Sequence, residues 1–262
     1  MLRKYGGKIM LLLLFLGVSA ISLSAEHVKD VQAVTEVFGD GENLSAVILT
    51  YDKEIDAASL SIDDYEVPER TVNKVYVKTV KEKGDKNQKK GQYVVVELEQ
   101  LPMVSQMADP NPQDAEARAK RNAMGITGPT LGSRGNPKPL KTFTGKVTQK
   151  GEVVTVDGEK YLATEEMTSS YTRQLVIEDF IQGIYRDPAQ NGEPLMYNLY
   201  IPKDYNPKKK YPLVVFMHDA GVVSPEVKAT LSQGLGAVAW ADPSWQEKHP
   251  SFYVNKYKLS LK

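Results

Sequence analysis

Short runs of Val, Ile, Tyr and Thr, punctuated by clusters of turn residues, set the rhythm of the chain from His27 to Gln100. In "LSAVILTYD" and "RTVNKVYVKTV" apolar and polar positions alternate, the period of a strand with one buried face. "AVTEVFG" leads into the turn cluster "DGEN" just before the first of these. "GQYVVVELEQL" closes a hairpin across the lysine-rich "KEKGDKNQKKG". That lysine run lies between two strand patterns and carries Gly, Asp and Asn, so it reads as a solvated hairpin tip and not as a nucleic-acid patch.

From Pro102 the pattern breaks into a Pro-, Gly- and polar-rich excursion, 102–140, with one short helical segment predicted at Gln113 to Met124. Alternation returns in "KTFTGKVTQKGEVVTVDGEKYLA", with turns at "KG" and "DG". Residues 26–158 therefore predict a small antiparallel β-sandwich interrupted by a long loop, and 159–172 a linker.

Residues 173–262 differ in kind. "RQLVIEDFIQGIYRD" and "LMYNLYIPKDY" predict two extended segments joined by "PAQNGEP", and the alternation then gives way to the continuous apolar run of "YPLVVFMHDAG". Such a run predicts a strand buried on both faces, as in sheets covered by helices on each side. Ser224, with Pro225 at the first helical position, predicts a capped helix through "EVKATLSQG". Strand, loop and helix in that order place a binding site at the strand's carboxyl end.

Composition narrows the chemistry. Lys+Arg and Asp+Glu both number 33, so the formal charge is zero and no global basic surface invites nucleic acid. The absence of cysteine removes thiolate nucleophiles, disulfides and Cys-based zinc sites. The three histidines, His27, His218 and His249, have no ligand spacing, so no metal or other cofactor is expected. At the N-terminus, Arg3, Lys4 and Lys8 precede an apolar run from Ile9 to Val18 and then small residues. This predicts a secretory signal peptide over 1–25, cleaved to leave a secreted or periplasmic product without a stable membrane anchor.

The phrases "YNLYIPKDY", "KKKYPLVVFMHDAG" and "QGLGAVAWADPSWQEKHPSF" resemble the opening of an α/β-hydrolase. They are similar to secreted esterases of the polyhydroxybutyrate depolymerase and prolyl-oligopeptidase-like kind. The sandwich before them similarly resembles the immunoglobulin-like N-terminal domain of some of these esterases. The fold class implied is an immunoglobulin-like β-sandwich followed by the first part, 173–262, of an α/β-hydrolase domain. The resemblance makes His218, Asp219, Ala220 and Gly221 an oxyanion loop, whose backbone N–H donors are each worth about 3 kcal/mol in an acyl-transfer transition state. Asp219 departs from the glycine of the commonest form of that loop.

In such enzymes serine, acid and histidine all follow this loop, so His218 is not the catalytic base. No Gly-x-Ser-x-Gly occurs: "GSRG" at Gly132 to Gly135 has the wrong spacing, and Ser224, Ser232, Ser244 and Ser251 lack flanking glycines. No catalytic triad residue is therefore assigned. After "HPSF" the family's rhythm calls for an apolar strand leading to the nucleophile, whereas "YVNKYKLSLK" is lysine-rich. The expectation is a truncated, inactive N-terminal portion of a serine carboxylesterase, whose full-length relative acts on small-molecule or polymeric esters. The alternative is a non-catalytic secreted β-sandwich module for binding or homo-oligomerisation. "GLGAVA" follows a helix-like segment and is no dinucleotide fingerprint. Trp240, Trp245 and Phe252 are read as core or pocket wall, with a carbohydrate-stacking surface as the sharper alternative.

Overall fold

The computed structural model describes residues 26–84, 88–102, 120, 123–124, 140–192, 194–218 and 226–257. The alternating segments form β1 (Val28–Phe38) and β2 (Gly41–Asp56), an antiparallel hairpin in which Ala33 faces Val47. β2 pairs with β5 (Lys90–Leu98) and β5 with β4 (Val72–Lys78), while β10 (Tyr171–Gln174) joins β1 in parallel. The order is β10-β1-β2-β5-β4. The close β4–β5 crossing needs a glycine, because a Cβ at Gly91 would lie 2.2 Å from the Lys78 carbonyl oxygen.

Short strands make the opposing layer: β3 (Tyr65–Glu66), β6 (Lys146–Gln149) and β9 (Met167–Thr168) in one sheet, β7 (Val153–Val154) and β8 (Lys160–Tyr161) in another. Val47, Leu49 and Tyr51 of β2 and Val94 and Val96 of β5 meet Val147, Val153 and Tyr161 across the layers, all buried. Each such aliphatic side chain contributes about 1.5–3 kcal/mol by burial. The reverse face of the large sheet buries Val34, Ala46, Ile48 and Val95, so the centres of β2 and β5 are covered on both sides.

Tyr51, Tyr65 and Gln149 are paired within this core. Tyr51 donates to Gln149 Oε1 at 2.7 Å, and its oxygen lies 2.9 Å from the Tyr65 hydroxyl. Gln149 Nε2 reaches the carbonyls of Gly151, Tyr161 and Leu162 at 2.9, 3.1 and 3.1 Å. One side chain thus ties β6 to the β7–β8 hairpin and to β2.

The tip of the β1–β2 hairpin docks onto the second unit. Glu42, buried, accepts from Thr35 Oγ1 at 2.6 Å and Gln174 Nε2 at 2.8 Å, and its N–H donates to Ser232 O at 3.1 Å. Val37 packs with Ile177, Phe180, Tyr200, Leu231 and Tyr253. The chain passes between the units through Val176, whose φ of 66° and ψ of −44°, with Ile177 N–H bonded to Leu175 O at 2.8 Å, make a γ-turn of the strained positive-φ form.

The second unit is a four-stranded sheet of β11 (Ile181–Arg186), β12 (Pro194–Tyr200), β13 (Leu213–Met217) and β14 (Phe252–Tyr257), ordered β11-β12-β14-β13. β11, β12 and β14 pair antiparallel; β13 and β14 run parallel. Between β13 and β14 lie 3₁₀ turns and the helix α1 (Pro243–Lys248). These cover the inner face, where Val214 and Phe216 pack beside Tyr200, Leu231, Val238 and Tyr253.

Several expectations change here. β13 is an edge strand covered on one face only: Leu213, Val215 and Met217 are 61%, 57% and 75% exposed, so its all-apolar text does not mean burial on both sides. In place of the expected capped helix, Val227–Thr230 is a single 3₁₀ turn with no side-chain cap, and Ser224 and Pro225 lie outside the described residues. The lysine-rich end begins as β14, inserted between β12 and β13. Residues 159–172, read as a linker, carry β8, β9 and the start of β10, all paired into the sandwich layers. The helix expected at Gln113 to Met124 lies outside the described residues, apart from 120, 123 and 124.

Candidate functional site

A parallel strand pair directs attention to its carboxyl ends. His218 follows Met217 there, directly after β13, and is half-buried. Asp219, Ala220 and Gly221, the rest of the expected loop, lie outside the described residues. What is visible is how the chain is held on either side of residues 219–225. Upstream, β13 is fixed by its register with β14, Val215 opposite Val254 and Phe216 opposite Asn255.

Downstream, the turn Val227–Thr230 is bolted to the inner sheet face by two buried asparagines that face each other across β12 and β14. Asn198 Nδ2 donates to Val227 O at 2.9 Å and Thr230 Oγ1 at 3.1 Å, and its Oδ1 accepts from Gln182 Nε2 at 3.0 Å. Asn255 Nδ2 donates to Thr230 O at 3.2 Å. Burying two amides is costly unless they are bonded. Here both Nδ2 groups bond the turn Val227–Thr230, while among the described residues Asn255 Oδ1 is buried without a partner, so the described chain on either side of 219–225 is anchored to one sheet. Beneath them, Tyr253 donates to Gly236 O at 3.2 Å, and burial pushes its phenol and that of Tyr200 up from the usual range.

The other histidines stand elsewhere. His27 stacks on Tyr161 at 3.8 Å and bonds Asp52 Oδ2 at 3.2 Å within the sandwich; His249 lies 4.5 Å from the Trp245 ring. Among the described residues no group of three or more His, Cys, Asp or Glu side chains could hold a metal. Of the serines weighed as nucleophiles, Ser232 donates to Ala229 O, Ser244 to Asp242 Oδ1, and Ser251 is buried against Gln246. These are local backbone, capping and packing roles.

A cleft of about 810 Å³ opens at the opposite, amino end of β13 and β14, between Tyr200, Tyr211, Trp240, Trp245 and Ser251. Sequence had flagged the two tryptophans. It gave no sign of Gln246, a buried side chain that builds the cleft by bonding residues five and six positions away. Phe252, grouped with the tryptophans in sequence, packs instead on Tyr205 and Tyr211 at 5.3 and 5.9 Å.

Residues 30–162 match the model of the esterase Ig-like N-terminal domain, and the chain belongs to that family. The crystal structure of a thermostable esterase is similar, with a TM-score of 0.69 and 29% identity, over 88% of this chain and 58% of that one. The chain thus spans 58% of the length of that esterase. No curated protein matches it.

Proposed function

We propose that the chain is the N-terminal portion of an exported serine esterase, consisting of the Ig-like domain and the opening strands of an α/β-hydrolase domain. His218, Asp219, Ala220 and Gly221 are its oxyanion loop. The observation that carries the reading is the position of His218 at the carboxyl end of a parallel strand, in a segment anchored on both sides, within a chain of the esterase Ig-like family. In this reading backbone N–H groups of the loop stabilise the oxyanion of a tetrahedral intermediate. In this reading the serine, acid and histidine that form and hydrolyse the acyl-enzyme lie outside these residues, which span 58% of the length of the solved esterase. By themselves these 262 residues do not turn over esters. Residues 1–25 act as the export signal, on the strength of their charged start and short apolar run.

Reading the coding DNA beyond Lys262 in all three frames tests this. The expected result is Gly-x-Ser-x-Gly followed by an acid and a histidine. Absence of any such continuation overturns the esterase reading in favour of a non-catalytic sandwich module.

A further inference from the structure

The cleft at the amino ends of β13 and β14 lies five residues of extended chain from His218, about 16 Å away. It is therefore at the wrong end of the strands to serve the loop. Its volume of about 810 Å³ falls within the ~300–1,000 Å³ of small-ligand sites.

Both tryptophans of the chain stand in it. Their ring centroids are 4.7 Å apart and their planes 86° from parallel, so the indoles form a corner. Trp240 and Trp245 remain 38% and 37% exposed. The scaffold holding them is nevertheless rigid. Asp242 caps α1, accepting from Ser244 N at 2.8 Å, and Pro243 occupies its first turn. Gln246, 8% exposed, donates to Trp240 O at 2.6 Å and to Ser251 O at 3.1 Å, and accepts from Ser251 N at 3.1 Å. Side chains that served only the core would be buried by this framework; here more than a third of each indole stays open to solvent, with His249 4.5 Å from the Trp245 ring.

The rim identifies the ligand class. Lys203, Lys209 and Lys210 face the cleft together with Asp204 and Glu247, and among the described residues none of the five is held in an ion pair. Two carboxylates set among three lysines leave a surplus of one charge, short of the cation cluster that a phosphate or other polyanion calls for. Unpaired donors and acceptors around apolar ring faces suit a molecule that is flat and apolar on one side and hydroxylated at its edges.

We propose that this cleft is a carbohydrate-binding site. A pyranose ring of an oligosaccharide stacks in the Trp240–Trp245 corner, its C–H face against the negative π face of an indole, while Lys203, Asp204 and Glu247 bond its hydroxyls. The site is independent of the esterase reading, and either can fail without the other. It would hold the sugar portion of a polymer away from the chemistry.

Because the chain has only these two tryptophans, its intrinsic tryptophan emission reports on this cleft alone. Titration of the whole chain with cellohexaose and with xylohexaose should shift that emission saturably with at least one of them. By calorimetry, Trp245→Ala should weaken binding about tenfold, as loss of a stacking partner does. Lys203→Ala, at an exposed position that cannot disturb folding, should weaken it severalfold, and Trp245→Tyr should restore most of the affinity. Absence of a saturable change with both sugars overturns the proposal. So does binding that is indifferent to both Lys203→Ala and Trp245→Ala.

Discussion

Replacing Gln149 by leucine keeps the side-chain volume roughly constant and removes every polar bond the residue makes in the sandwich core. Tyr51 gives its one hydroxyl proton to Gln149 Oε1, so the Tyr65 hydroxyl must be the donor in the 2.9 Å contact between the two phenols. Without Gln149, one phenolic proton loses its acceptor, and the carbonyls of Gly151, Tyr161 and Leu162 share the loss of two amide N–H donors. All of this happens where the three side chains are 0–2% exposed, so water cannot step in. At about 1 kcal/mol for each of three lost bonds, the sandwich should lose about 3 kcal/mol. That is about 10 °C in Tm for a domain of this size. Urea unfolding followed by far-ultraviolet circular dichroism should show the midpoint falling by about 1.5 M with the slope unchanged. Tyr51→Phe should cost about 1–2 kcal/mol. The double variant should fall short of the sum by about 1 kcal/mol, since the two changes break one shared bond. A loss below 1 kcal/mol for Gln149→Leu, or strict additivity, would refute the network as a source of stability.

Three further outcomes follow. At Val176, a strained positive φ costs about 1–3 kcal/mol, so Val176→Gly should be more stable than Val176→Ala by about 1 kcal/mol in thermal melts, the reverse of the usual order; an alanine variant at least as stable would show that the turn holds no strain. Burial raises the phenol pKa of Tyr51 and Tyr65 above the unfolded value of about 10, so their contribution is intact below pH 10 and is lost as pH rises beyond it, by up to about 1.4 kcal/mol per pH unit and group. Tyrosinate absorbance should therefore show these phenols ionising only together with unfolding, and ionisation in the folded state would contradict their burial. Finally, Ile181, Leu199, Val254 and Val215 form one apolar row across the outer face of the second sheet, ending at an exposed edge strand. Sedimentation velocity should show concentration-dependent association of the chain that Val215→Lys abolishes, and a monomeric wild type would rule this out.

The parts of the fold legible in sequence are those where one face of a strand meets one layer. "LSAVILTYD" and "RTVNKVYVKTV" became β2 and β4 with their apolar positions in the common core. Text fails where burial depends on what lies on top. Leu213 to Met217 reads as doubly buried, yet only Val214 and Phe216 find cover. β14 is hidden because one of its inward positions is Asn255, whose Nδ2 bonds a turn far away in sequence. In place of the helix expected after residue 226 stands a 3₁₀ turn whose Val227 and Thr230 carbonyls accept from Asn198 and Asn255. The position of His218 directly after β13 was legible from the strand that ends there, and the asparagines bonding the turn Val227–Thr230 were not, since no local spacing links them to it.

The central claim is that these residues hold one wall of an esterase site and not its nucleophile. Fluorophosphonate treatment followed by intact-mass analysis tests it most directly. The account predicts no adduct on residues 1–262, and a single adduct at the Gly-x-Ser-x-Gly serine of a chain extended through the downstream frame. A stoichiometric adduct on any serine of the 262-residue chain, lost when that serine is changed to alanine, would contradict it.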